Sequence, residues 1–147
     1  MCIPRRSGRF CYGRALRPAN LARGAASALL GACMAAWLVA ARPFPMPVIA
    51  AMNGHTFGNG SILACSCDYR FMKADRGFFC FPEVDVNIPF LPSMLQTIRK
   101  AIPYYKLEEL IFSGKRVGAK ELEEHHVLVK ACDDAEALMR ESLAPHA

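Results

Sequence analysis

Between an apolar run at 48–52 and the run Ser61-Ile62-Leu63-Ala64-Cys65, three glycines punctuate the chain: Gly54, Gly58 and Gly60, with Asn59 between the last two. A strand that ends in glycines and opens a helix leaves the first backbone N–H groups without intrahelical acceptors. They sit at the positive end of the helix dipole. Such a place suits an anion or an oxyanion that develops during a reaction. The same glycines would serve equally well if the turn merely packs tightly. Their spacing fits neither the dinucleotide fingerprint G-x-G-x-x-G nor a P-loop, since no Lys-Ser/Thr follows.

Glu83 is the second group able to do chemistry. It is a lone carboxylate after the aromatic run Phe78-Phe79-Cys80-Phe81, flanked by Pro82 and Val84. Burial there would raise its pKa and make it a proton carrier near neutral pH. A solvated loop glutamate would look the same in sequence. Other chemistries have less support. Seven cysteines form an odd set without a Cys-x-x-Cys pair, and the adjacent His125 and His126 lack a third ligand at useful spacing, so no metal site is expected. Reduced, mostly buried thiols are expected instead.

The elements that must position these groups follow from hydrophobic pattern. The run 48–52 after Pro45 and Pro47 reads as a buried strand, and 69–72 and 78–81 as two more around an Asp75-Arg76-Gly77 turn. Helices are expected from Ser61, over 92–101 with Pro92 at an early position, over 104–112 with a stop at Ser113-Gly114, and over 119–124. Val127-Leu128-Val129 reads as a short strand, and Asp133-Asp134 as the cap of a last helix through Leu143. Strands and helices alternate, so the class is α/β.

The chain has 147 residues, 53% of them apolar, enough for one domain with a core and too few for two. Its net charge of +5 is terminal: residues 1–67 carry seven arginines and no acid, while the remainder is slightly acidic. A basic arm without interleaved aromatics is not a nucleic-acid signature, and no nucleic-acid partner is expected. The uncharged run 25–41 reads as a secretory signal or a marginal membrane anchor, the Arg-rich, acid-free start as a transit peptide, or residues 28–41 as a buried helix of the domain. A membrane partner is not expected. The compartment stays open among cytoplasm and the mitochondrial or peroxisomal matrix, because the C-terminal Pro-His-Ala is not a peroxisomal Ser-Lys-Leu signal.

The stretch from Pro45 to Phe90, PMPVIAAMNGHTFGNGSILACSCDYRFMKADRGFFCFPEVDVNIPF, resembles the crotonase (enoyl-CoA hydratase/isomerase) superfamily. The family signature runs P-V-I-A-A-x-N-G-x-x-x-G-x-G and then L-A-x-x-C-D, and the likeness extends from about Phe44 to Leu143. The branch it looks most like is the Δ3,Δ2-enoyl-CoA isomerases. The resemblance implies a crotonase-like (ClpP/crotonase) ββα spiral over residues 44–147, preceded by an atypical Arg/Ala-rich segment over 1–43.

It implies roles as well. The Asn59 backbone N–H becomes one of two donors to a thioester oxyanion, and Gly58 and Gly60 keep the turn tight against substrate. Hydratases of the family use two glutamates. The first corresponds here to Ile62, in the acyl-binding part of the site, and the second to Glu83. The implied activity is therefore a 1,3-proton shift in a 3-enoyl-CoA during β-oxidation of unsaturated fatty acids. The implied partners are the acyl-CoA substrate and, as in the family, two further copies in a homotrimer. No cofactor is implied beyond the CoA of the substrate.

Residues 1–43 contain no F-S-x-G-x-D-L stretch, which in the family supplies the other N–H donor and most CoA contacts. The N-terminal part of the domain is thus expected to be missing, and the C-terminal helices to be cut short after Leu143. On that expectation a catalytically silent crotonase-like subunit or fragment stands as the alternative, with enoyl-CoA hydratase as the other enzymatic reading.

Overall fold

The structure, a computed structural model, describes residues 46–144. The expectations for 1–43, including the apolar helix at 28–41, lie outside the described residues. In chain order the elements are β1 (Ile49–Met52), β2 (Thr56–Phe57), α1 (Asn59–Ser66), β3 (Tyr69–Lys73), β4 (Phe79–Cys80), a 3₁₀ turn (Pro82–Val84), α2 (Pro92–Ala101), α3 (Tyr104–Ser113), α4 (Ala119–Glu124), β5 (Lys130–Cys132) and α5 (Ala135–Leu143).

β1, β3 and β5 form a parallel sheet in the order β1-β3-β5, with Ile49 opposite Tyr69 and Phe71 opposite Lys130. Parallel sheets need cover on both faces, and the side-chain alternation supplies it. Ala50, Met52 and Met72 face the main core with Ile62 and Cys65 of α1 and Ile98 of α2. Ile49, Ala51, Tyr69 and Phe71 face the other way, onto Ala137 and Leu138 of α5. A second, two-stranded parallel sheet pairs β2 with β4, Thr56 opposite Phe79 and Phe57 opposite Cys80.

The ends follow local chemistry. Pro92 opens α2, where its missing N–H costs nothing. Gly114, at φ 61°, closes α3. The Asp134 carboxylate accepts the Ala137 N–H at 2.7 Å and caps α5.

Two expectations need correction. The strand read at Val127-Leu128-Val129 lies three residues later, at Lys130–Cys132. Val127 and Leu128 are buried as their side chains demand, but their backbone finishes α4. His126 adopts φ 56°, its N–H donates to Glu123 O, and the Val127 N–H donates to Leu122 O at 2.8 Å. That is a Schellman termination with histidine in the position glycine usually takes. Only at Val129, whose N–H donates to Arg70 O, does the chain enter the ladder. The segment between Gly54 and Gly58, read as a turn, contains β2.

Candidate functional site

The two neighbouring strands of the small sheet run parallel, so they deliver their C-terminal ends to the same place. β2 leads through Gly58 into the first turn of α1, and β4 leads through Phe81 and Pro82 to Glu83. The Gly58 N–H continues the ladder by donating to Cys80 O at 3.1 Å. Gly58 holds φ 54° and ψ −125°, a region essentially closed to other residues. The strand can therefore turn directly into a helix.

Gly58 O accepts the Ile62 N–H, the first bond of α1. The N–H groups of Asn59, Gly60 and Ser61 precede that bond and have no intrahelical acceptor. No acidic side chain occupies the first turn, and Gly58 offers no side-chain cap. The dipole end is thus free of a competing anion from its own helix.

Glu83 is buried, 8% exposed, in the middle of the 3₁₀ turn. Its Oε1 lies against the turn: a Cβ built on Gly58 would stand 3.8 Å from it. Its Oε2 is buried and has no hydrogen-bond partner among the described residues. Desolvation pushes the carboxyl above its ordinary value of 4.5, and a hydrogen bond from its own backbone N–H offsets part of the rise. Burial also pushes the neighbouring Cys80 thiol up, with Arg116 pulling it down and Glu83 adding to the rise. Cys80 therefore stays protonated near neutrality.

Phe79 and Phe81 meet edge to face at 5.3 Å, and Phe81 meets Phe90 at 6.0 Å, so aromatic packing fixes the strand that leads to the carboxylate. On the far side, a Cβ on Gly114 would lie 2.9 Å from Asp85 Oδ2 and 3.2 Å from Val84 Cγ1. The end of α3 thus presses on the residues that follow Glu83.

Glu83, Gly58, Asn59 and Gly60 converge at this one place. Gly60 faces Thr56, 3.9 Å from the position a Cβ would take. Ile62, one turn further along α1, is fully buried in the main core. Sequence pattern overlooked Ser61, also fully buried, whose hydroxyl joins β2 to β4. A serine in a helix's first turn is ordinary, so nothing in its sequence setting marks it. The arrangement can hold a negative oxygen at the helix start and move a proton with one nearby carboxyl group.

Among the described residues no three His, Cys, Asp or Glu side chains gather to hold a metal ion, and the buried Cys65, Cys67, Cys80 and Cys132 form no disulfide with one another. No helix among the described residues is long and apolar enough to cross a membrane.

The family described as enoyl-CoA hydratase/isomerase matches residues 5–146, a match that reaches into the arginine-rich segment. Among curated proteins, enoyl-CoA delta isomerase 2, peroxisomal, of Arabidopsis thaliana is 38% identical over 93 residues, 63% of this chain and 39% of that protein. Carnitinyl-CoA dehydratase of Escherichia coli is 33% identical over 92 residues, 63% of this chain and 35% of that protein. Among solved structures, an enoyl-CoA hydratase/carnithine racemase from Magnetospirillum magneticum superimposes with a TM-score of 0.71 at 26% identity, covering 78% of this chain and 42% of that one. The chain spans well under half the length of these relatives.

Proposed function

The chain belongs to the enoyl-CoA hydratase/isomerase family, and from that premise we propose that its site performs the isomerisation of a 3-enoyl-CoA to a 2-enoyl-CoA. The observation that carries the reading is the buried Glu83 carboxylate, with one oxygen against Gly58 and the other without a hydrogen-bond partner among the described residues, next to the turn whose following residue, Asn59, opens α1. Ile62 supports it: at the position the resemblance gives to a hydratase's first glutamate stands an apolar side chain that cannot orient water.

Glu83 takes a proton from the α carbon of the thioester. The electrons of that C–H bond form a double bond between the α carbon and the thioester carbon, the carbonyl π pair moves onto the thioester oxygen, and the existing β,γ double bond completes a dienolate. The Asn59 N–H donates to that oxygen at the helix start. Protonated Glu83 then returns the proton to the γ carbon, the thioester carbonyl re-forms, and the double bond has moved one position. The carboxylate is regenerated, and no cofactor is consumed beyond the CoA carried by the substrate. One carboxylate suffices because the same proton leaves and returns. Place in β-oxidation, an acyl-CoA partner and a trimeric assembly belong to this reading.

The test compares the purified chain with Glu83→Gln on a 3-enoyl-CoA. Positioned acid/base catalysis contributes about 10²–10⁴-fold, and a fall of that size is the expected result. Equal rates in the two proteins remove Glu83 from the reaction. Hydration of a 2-enoyl-CoA, measured alongside, is expected to stay at background. The second reading is a silent subunit that assembles with other family members. Glu83-dependent turnover by the chain alone rules it out.

A further inference from the structure

The hydroxyl of Ser61 stands between the two strands that deliver the site. Its Oγ lies 2.9 Å from Thr56 O in β2 and 2.9 Å from Cys80 O in β4, while its backbone belongs to the first turn of α1. One side chain therefore joins three elements, and it does so with no exposure to solvent. The Cys80 carbonyl it reaches is the one that also accepts the Gly58 N–H. Ser61 follows Asn59 by two residues, and Cys80 precedes Glu83 by three. Burying a hydroxyl is unfavourable unless it is hydrogen-bonded. A core that needed only volume here would be filled as well by alanine or cysteine.

We infer that Ser61 is a positioning residue for the site: by tying the start of α1 to the Cys80 carbonyl it sets the separation between the Asn59 N–H and the Glu83 carboxylate. A serine has one hydroxyl proton, so the two carbonyls share it. The tie thus holds both strand ends without locking either. Proton transfer along a thioester needs donor and base held to within a fraction of an ångström, and a misplacement of about 1 Å costs on the order of 100-fold. What the positioning serves rests on the isomerase reading; that Ser61 pins the turn does not.

The test uses the full chain with Ser61→Ala, Ser61→Cys and Glu83→Gln, measuring turnover of a 3-enoyl-CoA and amide hydrogen exchange at Gly58. Ser61→Ala is expected to lower kcat about 10-fold with KM near its original value, since a smaller displacement than 1 Å is involved. The Gly58 amide is expected to exchange about 10-fold faster as its acceptor loosens. Ser61→Cys retains a weak S–H donor and is expected to recover part of both. A melting temperature that falls while kcat per folded molecule and Gly58 exchange stay unchanged overturns the inference. If the unsubstituted chain shows no Glu83-dependent turnover, the isomerase reading fails instead, and Gly58 exchange alone then decides whether Ser61 pins the turn.

Discussion

Gly58 and Glu83 face each other across the start of α1, close enough that a Cβ on the glycine would touch Oε1 at 3.8 Å. That proximity is set by a strand ladder: the residues lie just beyond Phe57 and Cys80, which are opposite each other in parallel strands. The glycine contributes twice, through a backbone angle other residues resist and through the space it leaves beside the carboxylate.

The first prediction concerns pH. Burial raises the Glu83 pKa above 4.5, so the base becomes available only above the ordinary glutamate range, and kcat/KM is expected to rise with pH with a midpoint above 4.5. Stability moves the other way. Below 4.5 the carboxyl is protonated in folded and unfolded chains alike; as pH rises past 4.5 the unfolded form ionises first, and stability declines until the folded carboxyl ionises too. Glu83→Gln should abolish both trends above pH 4.5. Rate profiles and melts of the two proteins test this, and a rate midpoint at or below 4.5 contradicts the buried-base account.

A second prediction isolates the N–H donor. Asn59 is the first residue of α1, a position where proline preserves helix geometry and deletes only an N–H that has no intrahelical acceptor. Asn59→Pro is expected to fold and to lose about 10²–10³-fold in kcat, the cost of one oxyanion donor. Asn59→Gly keeps the N–H and should retain kcat within a few-fold of the original. Circular dichroism with steady-state rates on both variants separates the outcomes; equal activity in Asn59→Pro would falsify the donor role.

Much of this site was legible in sequence because it depends on local chemistry. Glycines with few alternatives mark the strand-to-helix turn, and Pro92, Gly114 and Asp134 mark helix ends by their backbone and capping preferences. What was not legible depends on tertiary pairing. β2 has two residues, too few for a period, and exists because Thr56 and Phe57 find Phe79 and Cys80. Val127 and Leu128 look like a strand because they are apolar, yet their N–H groups are taken by Leu122 O at the end of α4. The burial of Glu83 and the reach of Ser61 to Cys80 likewise come from segments brought together by folding.

A third prediction contrasts two glycines of the turns that precede β2 and β4. Gly77 has φ 132°, and a Cβ there would fall 2.7 Å from the carbonyl carbon and oxygen of Gly54. That neighbour is backbone and cannot swing aside, so Gly77→Ala should cost more than about 3 kcal/mol and expose β4 to misregister. A Cβ on Gly54 meets nothing within 4 Å, and Gly54→Ala should stay within about 1 kcal/mol of the original. Urea unfolding of the two variants gives the comparison. Similar midpoints would mean that the close approach of these two turns does not govern the small sheet.

The last prediction concerns the charges that hold α3 to α4. Lys106, 1% exposed, lies 2.8 Å from Glu109 and 2.6 Å from Glu121, and Lys115 lies 3.0 Å from each of the same carboxylates. Burial alone would lower the Lys106 pKa; hydrogen bonds and charge from the two glutamates outweigh it and raise it. The lysines in turn lower Glu109 to about 2 and lower Glu121. Groups with depressed folded values stabilise above their ordinary 4.5 and lose that contribution as pH falls through the depressed value, here between 4.5 and about 2 for Glu109. Because the end of α3 presses on Val84 and Asp85, loosening it should reach the Glu83 segment. The variant carrying both Glu109→Gln and Glu121→Gln strands a buried ammonium and should be less stable at pH 7 than Lys106→Met, which removes that charge and leaves two carboxylates facing Lys115. Urea midpoints at pH 7 and pH 3 check the order: the double variant should lose less than the original chain between the two pH values, and an equal loss would remove the quartet as the source of acid sensitivity.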